Sequence, residues 1–263
     1  MNRQLIKQTL DSSILVLHNT VLDLLFWLSP ARKIVQRNES YKNKHEGQSC
    51  IIFGNGPSLK SFDVSGTKGH FTFVVNYFFK SNAFPTLQPD YYALIDELFY
   101  EGEIAATKEA IKKYPQCTFL FKSKCLKSDF LRSFAMTSSK AIVTFNQKAL
   151  VDSSVHYDMT KNFTASINVI NHCIQCAIYM GFKRIYLVGC DFNSFTSNKM
   201  QHFYENKNDE KALSLGDELK FYAEVCYHHY ALNKLARGIG IEIINATPNS
   251  LLDAYPKGRL PAN

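Results

Sequence analysis

From Ser49 onward, short apolar runs alternate with segments in which apolar residues recur at helical spacing. Strands are predicted at 50–53, 71–76, 91–95, 117–121, 141–145, 184–190 and 241–245. Helices are predicted at 97–113, 167–180 and 217–237. This alternation is typical of a mostly parallel sheet with flanking helices, and a chain of 263 residues is long enough to bury a large core of that kind. The pattern therefore predicts an α/β fold.

Residues 1–46 show a different pattern. Within them, 13–28 is mostly apolar but is interrupted by three polar residues, which are His18, Asn19 and Asp23. The stretch is too short and too polar for a transmembrane span, and no small-residue cleavage site follows its apolar part, so we do not expect a signal peptide. An amphipathic helix fits best. Two interpretations stay open: the helix packs on the core or on a second subunit, or it lies on the cytoplasmic face of a membrane.

We therefore expect two parts, an N-terminal helix with its linker at 1–46 and an α/β catalytic domain at 47–263. A long polar segment at 193–216 follows a predicted core strand and is expected to form a lid. The sequence is compatible with a homo-oligomer.

The composition limits the classes of partner that we expect the protein to bind. The formal net charge is +7, which suits an anionic substrate or an anionic membrane surface. No nucleic-acid-binding signature accompanies the charge, so we expect no nucleic acid partner. The seven cysteines are an odd number and lie mostly in apolar runs, as in reduced proteins. We expect a cytoplasmic protein, peripheral to the inner membrane face if the N-terminal helix binds lipid.

A glycine loop follows the first predicted strand. Cys50 to Phe53 is continuously apolar, Gly54 and Gly56 permit a sharp turn, and Pro57 suits the first position of a helix. A strand that leads through such a loop into a helix N-terminus offers free N–H groups to an anion, typically a phosphate. The loop therefore predicts a phosphate-binding site, although a plain strand-to-helix turn would have the same pattern.

Polar side chains follow the predicted strands where ligands of open α/β sheets bind. They are Asn55, Asn76, Asp96, Asp191, Asn193 and Asn249. Each alone is typical of a turn, but together we expect them to surround a polar ligand.

Several nucleotide motifs are missing from the sequence. It contains no Asp-x-Asp, no Gly-x-x-x-x-Gly-Lys and no complete Gly-x-Gly-x-x-Gly. The sequence therefore gives less support to a kinase, an ATPase or a dinucleotide-binding enzyme. A nucleoside monophosphate leaving group carries less charge, so amides, lysines and tyrosine hydroxyls could stabilise it without a metal ion. We expect no metal and no cofactor.

The predicted lid contains the segment Gln201-His202-Phe203-Tyr204. A loop histidine beside aromatic residues can act as a general base near neutral pH. His228 and His229 are adjacent on a predicted helix, so at most one of them faces the site.

Four blocks resemble the bacterial sialyltransferases of glycosyltransferase family 42. They are the glycine loop at 51–60, the Val75-Asn76-Tyr77-Phe78 segment, the Gly181 to Phe192 segment, and Pro248-Asn249-Ser250-Leu251-Leu252. They occur in the family's order and span residues 50 to 252. The resemblance implies a Rossmann-like fold of the GT-A variant type and a metal-independent transferase that uses a CMP-activated sialic acid.

The resemblance also implies residue roles. The glycine loop and the strand-end asparagines would hold the CMP part of the donor, lid tyrosines would bind the departing phosphate, and a histidine would deprotonate the acceptor. The family's Thr-Ser-Gly is similar to Thr164-Ala165-Ser166, which implies donor binding by Thr164 and Ser166.

The chain departs from the family's pattern at several positions. Asn193 replaces a lid tyrosine, Lys199 lies near the second one, and Asp96 replaces the third-strand asparagine. The family's catalytic histidine aligns near Ala223, so His202 is a substitute base, with Lys199 and Tyr204 on the phosphate. Because Asp96 would repel an anionic sugar, a Kdo-like donor is an alternative to sialic acid.

The leading hypothesis is an inverting glycosyltransferase that moves an acidic sugar from a CMP donor to a glycan or lipid-linked acceptor. A second hypothesis rests on the strand end Gly189-Cys190-Asp191-Phe192 and on His202-Phe203-Tyr204, which also resemble pterin pyrophosphokinase-like proteins. Those transfer a diphosphate from ATP with Mg²⁺, for which Asp96 and Asp191 would be the carboxylates. A third is a non-catalytic relative that binds a glycan or another partner.

Overall fold

The structure is a computed structural model that describes residues 3–81, 84–197, 202–204 and 213–261, with side chains from residue 11 onward. Its strands are β1 (Ser49–Phe53), β2 (Phe71–Val75), β3 (Tyr91–Ala93), β4 (Thr118–Lys122), β5 (Ala141–Lys148), β6 (Asn162–Thr164), β7 (Arg184–Val188) and β8 (Glu242–Asn245). Its α-helices are α1 (Arg3–Leu28), α2 (Arg32–Val35), α3 (Ile104–Lys113), α4 (Asp129–Thr137), α5 (Val169–Tyr179) and α6 (Leu215–Gly238). Short 3₁₀ helices occupy 36–41, 57–61, 64–67, 76–80, 97–99, 123–127 and 194–196.

The eight strands form one parallel sheet in the order β6-β5-β4-β3-β2-β1-β7-β8. The predicted α/β fold is confirmed, and every pairing in the sheet is parallel. The chain starts at β1, runs outward to β6, and then returns to the other side of β1 as β7. The strand order therefore reverses between β1 and β7, where ligands of such sheets bind.

Both faces of the sheet are covered, which explains why its strands are continuously apolar. One face packs Ile52 and Leu187 against Ile174 and Ala177 of α5. The other face is rich in aromatic side chains, and Phe119 stacks on Tyr92 with 5.4 Å between ring centroids. The strand ends are thereby held rigidly enough to position side chains beyond them.

Three parts of the fold differ from the prediction. The helix expected at 97–113 is a 3₁₀ turn at 97–99 followed by α3, with Gly102 in the break. Residues 122–140, for which no helix was predicted, contain α4. Strand β6, which extends the sheet beyond β5, had no counterpart among the predicted strands.

Helix α1 lies against β5 and β6, at one edge of the sheet. The Asn19 amide donates to the Ala149 carbonyl at 3.0 Å and accepts from the Ala149 N–H at 2.8 Å. Phe26 packs on Phe145 with 4.9 Å between ring centroids. The predicted division into 1–46 and 47–263 stays a prediction.

Candidate functional site

A cavity of about 400 Å³ opens at the carboxyl ends of β1, β2 and β7, where the strand order reverses. Its lining includes nine of the residues predicted from the sequence, namely Gly54, Asn55, Gly56, Pro57, Asn76, Asp191, Asn193, His202 and Tyr204. The sheet thus brings the glycine loop, one strand-end asparagine and part of the predicted lid to one place.

The two glycines of the loop serve close packing. A Cβ at Gly54 would lie 2.3 Å from the Gly189 carbonyl oxygen, and one at Gly56 would lie 1.8 Å from an Asp191 carboxylate oxygen. The Gly54 N–H donates to the Val188 carbonyl at 2.8 Å, and the Gly56 N–H donates to the Gly189 carbonyl at 2.9 Å. These glycines let the ends of β1 and β7 approach each other.

The helix N-terminus after the loop is already capped, which corrects the predicted phosphate site. The helix at 57–61 is a single 3₁₀ turn, so it has little dipole to offer an anion. The Asp191 carboxylate accepts from the Ser58 N–H at 3.1 Å and from the Ser58 hydroxyl at 2.8 Å. A carboxylate of the protein therefore occupies the place that the sequence assigned to a phosphate.

Asn55 and Asn76 line the cavity, and each has an unpaired amide oxygen. Both amide oxygens are buried, and neither has a hydrogen-bond partner among the described residues. Asn76 has a φ of 51°, in the left-handed region that asparagine tolerates better than most residues. Leaving a buried acceptor unpaired costs about 1–3 kcal/mol. Further unpaired amide atoms occur at Asn146, Asn162, Asn171 and Gln175, which do not line this cavity.

The segment 202–204 lies against the glycine loop. The Phe203 N–H donates to the Asn55 carbonyl at 3.1 Å. The imidazole of His202 stacks on the ring of Tyr204, with 4.8 Å between centroids and 5° between planes. Burial raises the pKa of Tyr204, so its hydroxyl stays protonated and can donate a hydrogen bond. A histidine and a hydrogen-bond donor thus lie together at the cavity.

His229 lines the cavity, although it could not be assigned to the site from the sequence. It extends from α6, and its Nδ1 atom is 2.8 Å from the Tyr255 hydroxyl. Burial lowers the pKa of His229 to about 3, so the imidazole is neutral. Adjacent positions on a helix point in different directions, and the spacing alone could not tell His228 from His229.

Helix α6 adds further polar groups that the sequence did not indicate. The Tyr222 hydroxyl lies 2.6 Å from the Ser194 hydroxyl, which in turn donates to Glu218 at 2.8 Å. Tyr222 and Ser194 line the cavity. Their pairing depends on how α6 folds back over the 194–196 turn, and no sequence pattern records that contact.

Four predicted binding residues do not line the cavity. Asp96 lines a separate cavity that shares only Asn76, Asn168, Val169 and Phe221 with the first one, and its carboxylate accepts from the Leu98 N–H at 3.0 Å. The Thr164 hydroxyl accepts from the His156 N–H at 2.8 Å. The Ser166 hydroxyl lies 3.2 Å from His172 Nδ1 and accepts from Gln175 at 3.0 Å. Asn249 is exposed on the surface.

Thr164 and Ser166 are engaged in buried hydrogen bonds and Asn249 is exposed, so the structure does not bring these three residues to the cavity, and their roles in donor binding stay predictions. Lys199, predicted to meet the phosphate, lies outside the described residues, as does half of the predicted lid at 193–216.

A comparison with known protein families identifies the family of this chain. A family model described as 6-hydroxymethylpterin diphosphokinase MptE-like matches residues 27–196, which is well over half of the sequence. The chain belongs to the MptE-like family. The region matched to this family includes the glycine loop, Asn76 and Asp191, and it ends before His202 and α6. No curated protein sequence matches the chain.

Solved structures share the fold. The sialyltransferase CstII from Campylobacter jejuni, in complex with cytidine-5′-monophosphate, superposes with a TM-score of 0.53 at 21% identity, over 82% of this MptE-like chain and 86% of that one. A complex of CST-II with a trisaccharide acceptor and CMP gives 0.51 at 21% identity, over 82% and 88%. The monofunctional α-2,3-sialyltransferase Cst-I from C. jejuni gives 0.50 at 20% identity, over 80% of each chain. The predicted resemblance to sialyltransferases is confirmed at the level of the fold.

Proposed function

We propose that this MptE-like chain is a glycosyltransferase that transfers an acidic sugar from a CMP-activated donor to a glycan or lipid-linked acceptor. The observation that carries the proposal is the cavity at the reversal of the strand order, because two of its lining residues, Asn55 and Asn76, have buried amide oxygens without a partner among the described residues.

Unpaired amide oxygens call for hydrogen-bond donors in the ligand. The ribose hydroxyls and the exocyclic amino group of cytosine are such donors. A ligand that pairs with Asn55 and Asn76 also relieves the cost of the unpaired oxygens in the free protein. The structural neighbours that share this fold were solved with CMP and with a trisaccharide acceptor, which supports the choice of nucleotide and of acceptor class.

The transfer step needs one base. The acceptor hydroxyl oxygen attacks the anomeric carbon of the donor sugar, and the bond from that carbon to the phosphate oxygen breaks, with its electron pair leaving on CMP. The hydroxyl proton passes to the imidazole of His202. Attack and departure on opposite faces invert the anomeric centre. His229 is the weaker candidate for the base, because burial keeps its pKa near 3 and Tyr255 occupies one of its ring nitrogens.

The departing phosphate needs hydrogen-bond donors or positive charge. Because Asp191 caps the 3₁₀ helix after the loop, we assign this role to the hydroxyl of Tyr204 and to Lys199. The proposal requires no metal ion.

The acidic group of the sugar could meet Lys122 in the neighbouring cavity. Lys122 lines that cavity together with Asp96 and Glu97. Desolvation lowers the pKa of Lys122, while Asp96 and Glu97 raise it, and Glu97 also pairs with Lys124. A carboxylate on the ligand would compensate the buried ammonium group.

Nucleotide binding tests the proposal directly. Thermal unfolding of the full chain is followed with CMP, CDP, UDP, GDP and ATP, each with Mg²⁺ and with EDTA. We expect a shift for CMP that is the same in EDTA. Silence toward every nucleotide would contradict the proposal and favour a relative that only binds a glycan or a partner.

A second function deserves a test because the family match names it. Transfer of a diphosphate from ATP needs Mg²⁺ held by carboxylates. Among the described residues, no group of three or more histidines, cysteines or acidic residues could hold a metal ion. Asp96 and Asp191, the predicted ligands, are each bonded to backbone N–H groups of the protein. Asp96 and Asp191 line different cavities, which gives this second function less support, and an ATP shift that disappears in EDTA would establish it.

A further inference from the structure

Helix α1 exposes an apolar face along the molecule. Its inner side is fixed to the β5–β6 edge of the sheet through Asn19, Phe26 and Asp23, whose carboxylate pairs with Lys148 at 2.8 Å. Its outer side carries large apolar side chains in contact with water, namely Ile14, Val16, Leu17, Val21, Leu24, Leu25, Trp27 and Leu28. We call these eight residues the outer face of α1. Leu17 is 67% exposed, and Leu28 is 64% exposed.

The outer face is contiguous. Five of its members follow one another at intervals of three and four residues, which places them in one stripe, and the other three widen that stripe. Between Asp11 and Asp23 the helix contains no charged residue. An apolar surface of this extent on a folded chain is typical of an interaction site.

We infer that the outer face of α1 docks the protein on an anionic lipid bilayer, with the helix lying in the plane of the interface. This inference does not depend on the proposed reaction.

A second copy of the chain is a poorer occupant. A coiled-coil seam is narrow and is flanked by charged side chains that pair across the dimer. Here the flanking positions are Val16, Thr20, Leu25 and Trp27, and the apolar face is wider than such a seam. A wide apolar face that ends in a tryptophan is typical of a helix lying at a membrane interface.

Basic residues follow the helix where lipid headgroups would be. Arg32 lies 5.5 Å from the centroid of the Trp27 ring, and Lys33 is exposed beside it. No acidic residue occurs from 24 to 38. A cavity of about 680 Å³ next to this end is lined by Arg32, while its Lys148 and Lys161 pair with Asp23 and Asp158, so Arg32 and Lys33 supply the positive charge at the end of the helix. The charge therefore complements an anionic surface.

The helix lies on the bilayer and does not cross it. By length and composition, 11–28 could span a membrane, and only 11% of that stretch is buried in the protein. The paired amide of Asn19 and the buried ring of Phe26 nevertheless hold the helix to the sheet. Lipid can reach its outer face alone.

The tryptophan provides a specific test, because Trp27 is the one tryptophan of the chain. The full protein is mixed with neutral phosphatidylcholine vesicles and with vesicles containing 30% phosphatidylglycerol, and binding is measured by flotation and by Trp27 emission. We expect flotation and a blue shift with the anionic vesicles. Arg32→Ser with Lys33→Ser should weaken that binding roughly 30-fold, which corresponds to about 1 kcal/mol for each basic residue.

Two double variants separate the outer face from general effects of added charge. Leu17→Glu with Leu24→Glu should abolish flotation without changing the thermal unfolding temperature, because both positions are exposed. Leu215→Glu with Leu219→Glu adds the same charge at exposed positions of α6 and should float like the wild type. Equal loss in both variants, or no flotation of the wild type, would overturn the inference. So would a dimer in light scattering that becomes monomeric in Leu17→Glu with Leu24→Glu, because a second copy would then cover the face.

Discussion

The cavity and the outer face of α1 each leave chemical groups without a partner, but the groups are of opposite kinds. In the cavity, the buried amide oxygens of Asn55 and Asn76 have no partner among the described residues. On α1, Leu17 and its neighbours are apolar and exposed to water. Buried polar groups are usually paired and large apolar patches are usually covered, so each region calls for a partner of its own chemistry. We therefore expect a ligand with hydrogen-bond donors in the cavity and an apolar phase, such as lipid, on α1.

The two regions should therefore contribute to different properties of the protein. Residues of the cavity are held by the sheet and by hydrogen bonds between loops, so changing them should affect ligand binding, chemistry and folding. Residues of the outer face contact little of the protein, so changing them should affect attachment to lipid alone.

His202→Ala is expected to have the largest effect. If the imidazole accepts the acceptor proton, its removal should lower the rate of CMP release from the donor sugar by about 10²–10⁴, with little change in CMP affinity. His18→Ala, on α1, is the matched loss of a histidine and should keep the wild-type rate. A full rate in His202→Ala would exclude His202 as the base and direct attention to His229.

Stability should depend on pH through two buried histidines, His172 and His229, of which His229 lines the cavity. Burial lowers the pKa of both His172 and His229 to about 3, against an ordinary value of 6.5. The unfolded chain therefore binds more protons than the folded one between these values, and stability falls as the pH is lowered through 6.5 toward 3. From pH 7 to pH 5 we expect a loss of about 2 kcal/mol for each histidine, measured by urea unfolding.

A variant identifies the source of that slope. His229→Gln should remove the part of the pH dependence that His229 contributes, about 2 kcal/mol between pH 7 and pH 5. An unchanged slope in His229→Gln would show that the protonation of His229 does not control stability.

The sequence predicted the sheet well because its strands are buried on both faces. Runs such as 50–53 and 184–190 are apolar without interruption and need no tertiary information to be recognised. Helix α4 was not predicted, although Phe130 and Phe134 are four residues apart and stack with 6.5 Å between ring centroids, because lysines and serines interrupt the apolar pattern of this segment. Strand β6 is three residues long and has no pattern of its own.

The site was predicted as far as strand ends determine it. Asn55, Asn76 and Asp191 follow strands that meet at one edge, and the parallel sheet brings them together. Other parts depend on contacts across the fold. The capping of Ser58 by Asp191 joins positions 133 residues apart, and the approach of His229 depends on the packing of α6. Such contacts leave no local periodicity, so the sequence assigned the loop to a phosphate and could not assign His229 to the site.

Gly56→Ala tests how tightly the cavity loop is packed. The new Cβ would lie 1.8 Å from Asp191 and 2.7 Å from the Gly189 carbonyl oxygen, so the loop must shift. We expect a loss of roughly 1–3 kcal/mol in the free energy of unfolding, measured in urea. Gly238→Ala is the matched control, because no atom lies within 4 Å of its Cβ position at the end of α6. Equal stability of the two variants would mean that the loop has room to move.

Asn76→Ala should have the smallest effect on folding and a selective one on binding. The change removes a buried unpaired oxygen, which is favourable, and places alanine at a φ of 51°, which costs roughly 1–2 kcal/mol, so the two terms oppose each other. Asn43→Ala makes the same replacement at a φ of 53° on the exposed surface, where no ligand is expected, and it measures the backbone term alone. We expect CMP affinity, measured by calorimetry, to fall roughly 3- to 10-fold in Asn76→Ala and to stay unchanged in Asn43→Ala. If Asn76 served the fold alone, Asn76→Ala would lose stability and keep its affinity for CMP. The unpaired oxygen would then not be a ligand contact.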